Sequence, residues 1–158
     1  MKTLQEYLVE ASRYGYSKLF AVMNEVWSEK DIIKFNTALN KLVYDIIGNK
    51  EIMFDDGDDW TETGEYDKKC FGKAWCLSWR YINNDDLNKI SKYFEKTFGI
   101  KPIRAAYPSF QYAMPIDITK AINVSLPKEI HTSLCMTDDD IHIYTMVYIN
   151  EIRDRLEK

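Results

Sequence analysis

Lys73-Ala74-Trp75-Cys76-Leu77-Ser78-Trp79-Arg80-Tyr81-Ile82 alternates large apolar side chains with smaller or polar ones. At a period of two, Trp75, Leu77, Trp79 and Tyr81 fall on one face, and Ala74, Cys76, Ser78 and Arg80 on the other. A helix would scatter those rings around its circumference. The stretch reads as a half-buried strand carrying a wall of aromatics. Such a strand needs neighbours in a sheet and a layer over its apolar face.

Working outward from it, residues 51–54 offer a second short strand, and helical signals precede them. Ser17 is placed to cap a helix whose apolar stripe is Leu19, Phe20, Val22, Met23, Val26 and Trp27. Ser28 with Asp31 starts a stronger helix. Ile32, Phe35, Leu39, Leu42, Val43 and Ile46 recur at three and four, and Gly48 stops it. Downstream, Asn84-Asp85-Asp86 caps a helix carrying Leu87, Ile90, Tyr93 and Phe94, closed by Gly99 and Pro102. Short β-prone pieces follow at 103–107, 110–114, 122–126 and 130–136, broken by Pro108-Ser109 and Pro127-Lys128. Thr137 is then expected to cap a long C-terminal helix. Its positive end would face Asp138, Asp139 and Asp140, its negative end Arg153, Arg155 and Lys158. Its buried face would be Ile141, Tyr144, Tyr148, Ile152 and Leu156.

This order predicts an α+β fold. An antiparallel sheet carries helices packed on one side, with N-terminal helices and a long C-terminal helix. No internal repeat, low-complexity tract or linker divides the chain.

With 158 residues and 46% hydrophobic content, the chain can bury a core. Aromatic content of 14% makes that core rich in rings and excludes a disordered chain. No apolar run approaches the ~18 residues of a membrane span, and no secretory signal opens the sequence. Cys70, Cys76 and Cys135 have no framework spacing and read as reduced thiols. The formal net charge of −4 makes nucleic acid unlikely as the main target.

Motifs for chemistry are tested and mostly fail. The acidic run between 55 and 67 fits no EF-hand loop, which needs Gly at its sixth and Glu at its twelfth position. His131, Cys135 and His142 match no zinc spacing, and on one strand His131 and Cys135 stand roughly 13 Å apart. No nucleophile elbow, phosphate loop or dinucleotide fingerprint occurs. Neither metal nor cofactor is expected. Trp75, Trp79, Tyr81, Tyr107, Phe110 and Tyr112 serve core packing better than a base-stacking platform, although Lys73, Arg80, Lys101 and Arg104 lie near them in sequence.

The acidic run itself suggests recognition. Asp55, Asp56, Asp58, Asp59, Glu62, Glu65 and Asp67 crowd into a segment with one large ring, Trp60. Burying so many carboxylates would cost desolvation without enough partners, so the run is expected to form a solvated loop. Its carboxylates would steer a basic partner surface. Trp60 would either pin the loop to the sheet or serve as a hot-spot ring.

The opening, Met1-Lys2-Thr3-Leu4-Gln5-Glu6-Tyr7-Leu8-Val9-Glu10-Ala11, places Leu4, Tyr7, Leu8 and Ala11 on one helical face. Thr3 and Glu6 stand at capping-box spacing. It also resembles the capsid-targeting leader of the internal head proteins of T-even-like phages. Lys2, Thr3, Gln5, Glu6, Tyr7, Leu8, Glu10 and Ala11 fit that pattern; Leu4 departs from it, an aromatic being usual there. The resemblance covers about the first 25 residues. It implies cleavage between Glu10 and Ala11, with Leu8 as the aliphatic residue two positions before the cut. Residues 1–10 would then be a leader and 11–158 a single α+β domain. It further implies a protein packaged in the virion interior and delivered to the host cytoplasm with the DNA. There it would act as a non-catalytic inhibitor of a host restriction or defence protein, after contact with phage scaffold and capsid during assembly. A virion structural or assembly protein is the alternative, and a small nucleotide-binding protein or enzyme a third.

Overall fold

The computed structural model describes residues 16–55, 74–147 and 149–156. Helix α1 spans Tyr16–Val26 and α2 spans Glu29–Ile47. Strand β1, Glu51–Asp55, and β2, Ala74–Arg80, follow. Helix α3 covers Asn84–Phe98. Strands β3, Met114–Ile116, β4, Ile130–Met136, and β5, Ile141–Val147, precede a short helix α4, Ile149–Leu156.

The caps explain the helix limits. Ser28 Oγ accepts the Asp31 N–H at 3.2 Å, and the Asp31 carboxylate accepts the Ser28 N–H at 3.1 Å, a complete capping box. The Ser28 hydroxyl, donating to the Asp31 carboxylate at 2.8 Å, and then the Ser28 N–H hold the Asp31 carboxyl below the usual carboxylate range. Gly48 ends α2 at φ 78°, donating to the Tyr44 carbonyl. Asn83, one residue before the expected cap, accepts from the Asp86 N–H at 2.9 Å and starts α3. Ser17 lies inside α1 instead of capping it.

All pairings in the sheet are antiparallel, in the order β1-β2-β5-β4-β3. The register places Ile52 and Phe54, then Trp75, Leu77 and Trp79, then Ile141, Ile143 and Val147, then Ile130, Leu134 and Met136 on one face. Every one of these except Ile52 and Phe54 belongs to a single buried cluster. Val22, Met23, Phe35, Leu39, Val43, Leu87, Ile90 and Phe94 of the helices complete it. The helices therefore pack on one side, as the aromatic wall requires. Each fully buried Leu, Ile or Phe there is worth ~1.5–3 kcal/mol relative to exposure. Trp27 ties the α1–α2 corner to the sheet, standing edge-on to Phe35 at 5.1 Å and to Trp75 at 5.3 Å.

The long C-terminal helix is not formed. Thr137 instead opens a tight turn. Its N–H donates to the Asp140 carbonyl at 3.0 Å, and its Oγ1 accepts the Asp140 N–H at 3.0 Å. Residues 141–147 return as β5, the central strand, and among the described residues beyond it the eight of α4 are helical. Ile141, Ile143, Thr145 and Val147 are β-branched at alternate positions, which favours a pleated strand over a helix. Ile152 still enters the core, as expected, but from α4. Three further β-prone pieces are not the expected strands: 122–126 has no ladder, 110–112 forms a 3-10 turn with β3 starting only at Met114, and 103–107 contributes one parallel bridge, Arg104 with Met136. Tyr81 leaves the aromatic wall. It takes φ 57° and is 69% exposed, with the Arg80 guanidinium 5.2 Å from its ring centroid.

Candidate functional site

Helix α2 is tied to β2. Asn40 accepts the Trp79 indole N–H at 3.3 Å, and the Trp27–Trp75 contact fixes the helix corner above the same strand. The buried stripe of α2, Phe35, Leu39 and Val43, points into the core. The adjoining stripe of Glu29, Ile32, Ile33, Asn36, Thr37 and Asn40 lines a cleft together with Ile52 and Phe54 of β1.

The result is an open cleft of about 610 Å³. Ile52 and Phe54 form its sheet side; Met23, Trp27, Ile32 and Ile33 form its helix side; Trp75 and Leu77 form its floor. Asn24 and Asn36 supply amides, and Glu29 is the acidic side chain among the described lining residues. The Thr37 hydroxyl is turned inward, donating to the Ile33 carbonyl at 2.8 Å. Along β1, Ile52 is 40% exposed, Met53 46% and Phe54 44%. Among the described residues β1 is also the end of the sheet. An edge strand with three consecutive exposed apolar residues is a template for pairing with another chain.

The opposite face of the sheet is polar yet covered. Ser78, His142 and Cys135 are direct cross-strand neighbours on β2, β5 and β4. Ser78 Oγ lies 2.8 Å from His142 Nδ1, and Cys76 Sγ lies 3.4 Å from Ser78 Oγ. Among the described residues His142 Nε2 has no hydrogen-bond partner, and it stands 3.7 Å from the Asp140 carboxylate. Burial lowers the pKa of His142, with Asp140 opposing the shift and Arg80 adding to it. Burial likewise pushes the Cys76 thiol up to about 11 and raises Cys135 and the Tyr144 phenol. These thiols stay protonated at neutral pH and are poor nucleophiles. Ser78, His142 and Asp140 are the residue types of a hydrolytic triad. Ser78 is only 5% and His142 6% exposed, so neither offers a surface to a substrate.

Of the sequence-predicted site residues, Asp55 ends β1, exposed and opposite Cys76. Its charge is one reason why the Cys76 and Tyr144 pKa values rise. Asp56, Asp58, Asp59, Trp60, Glu62 and Glu65 lie outside the described residues, as do Leu8, Glu10 and Ala11. His142 is on β5, not in a helix; His131 bonds Glu151 at 2.6 Å. No group of three metal-ligand side chains occurs among the described residues. The aromatic platform does not assemble. Trp75 and Trp79 are buried in the core, while Tyr107 and Tyr112 pair edge-on elsewhere at 5.2 Å. Arg104 is engaged with Asn84 and Asn88. Among the described residues no helix is long and apolar enough to cross a membrane.

The β1 cleft was not foreseen. Its local signal is Glu51-Ile52-Met53-Phe54-Asp55, three consecutive apolar residues between carboxylates, too short to show a period. Set against known protein families, curated proteins and solved structures, the chain matches none of them.

Proposed function

We propose that the chain is a phage internal head protein, packaged in the virion interior and delivered to the host cytoplasm with the DNA. Its domain would act there as a non-catalytic inhibitor of a host restriction or defence protein. The resemblance of residues 1–11 to a capsid-targeting leader supports the packaging. The observation that carries the binding role is the exposed strand β1, terminal among the described strands, beside an apolar cleft, a surface suited to gripping another polypeptide. The buried Ser78–His142 pair is consistent with a domain that binds instead of catalysing.

Mass spectrometry of purified virions tests the packaging and the trimming. The expected species begins at Ala11. An intact Met1 in mature particles removes the trimming claim, and absence of the protein from particles removes the packaging claim. Plating a phage that lacks the coding sequence tests the inhibition. Titre should fall only on hosts carrying the cognate defence system; equal titres across all hosts would overturn the inhibitor role.

A further inference from the structure

We draw no further inference here: the strongest candidate, the apolar cleft of about 610 Å³ between β1 and α2, carries nothing, because Arg80 already faces Glu51 in register, β1 ends the sheet only among the described residues, and nothing in the structure shows what covers this face.

Discussion

At one edge of the sheet β3 is three residues long, and its middle residue is Pro115, which has no N–H to offer. Ile116 beside it is buried, and its carbonyl accepts the Thr132 hydroxyl at 2.7 Å. At the other edge β1 is five residues long, contains no proline and exposes Ile52, Met53 and Phe54 in succession. Proteins commonly blunt sheet edges with short strands, prolines or charge. Here one edge has two of those protections, and the other has charge only at its ends. The difference leaves β1 the more exposed of the two edges among the described residues.

The largest expected effect sets the scale for that contrast. Trp79 lies next to Ile52 in register, is 1% exposed and donates its indole N–H to Asn40. Trp79→Ala should cost ~3–5 kcal/mol in denaturant unfolding. Phe54→Ala, one strand over on the same face, should cost about 1 kcal/mol or less, because the ring is already partly in water. A Phe54→Ala loss as large as that of Trp79→Ala would make β1 part of the core and erase the distinction between the edges.

The second effect is on the strands between the edges. His142 sits on the central strand, faced by Ser78 and Cys76 of β2, Cys135 of β4, Tyr144 on its own strand, and the charges of Arg80, Asp139 and Asp140. Burial holds its folded-state pKa below the ordinary value of 6.5. The unfolded chain therefore takes up this proton first. Stability from this group is flat above about pH 6.5, falls as pH drops through the window down to the folded-state pKa, and levels off below it. Urea unfolding of the parent and of His142→Gln between pH 7.5 and about 4.5 isolates the contribution. The difference between the two should shrink with acid. A parallel pH dependence would show that His142 does not carry it. Hydrogen exchange should quicken at β1 and β3 together, because β1 hangs on β2 and β3 on β4, the two strands that flank β5.

How much of this could be read beforehand follows from local signals. Trp75, Leu77 and Trp79 announced β2, because one face of that strand is far more apolar than the other. Ser28, Asp31 and Gly48 announced α2, because its caps are local. β5 was misread. Both of its faces are buried, so Met146 and Tyr144 on the polar side blur the alternation of Ile141, Ile143 and Val147. The spacing of Ile141, Tyr144, Tyr148 and Ile152 then mimics a helical stripe, and only the β-branched residues at alternate positions argued otherwise. The cleft was invisible for a different reason. It exists because α2 is tied to β2 by Trp27 and Asn40 while Ile52 and Phe54 stay partly exposed. No short window of sequence contains both halves of that arrangement.

The smallest effect probes the protected edge. Pro115 pairs with Ser133 across β4, and on an edge strand a proline is tolerated where its nitrogen faces away from the neighbouring strand. Pro115→Thr supplies a β-prone residue and restores an outward N–H. It also frees the unfolded chain, so stability should fall by no more than about 1 kcal/mol. If proline is what closes this edge, the variant should begin to self-associate at high protein concentration, seen as a rising sedimentation coefficient. The parent should stay unchanged over the same range. Phe54→Lys in the Pro115→Thr background should leave that association intact, since the two edges lie at opposite ends of the sheet. A Pro115→Thr protein that sediments like the parent would place the protection of this edge in the shortness of β3. The contrast with β1 would then rest on strand length and exposed rings alone.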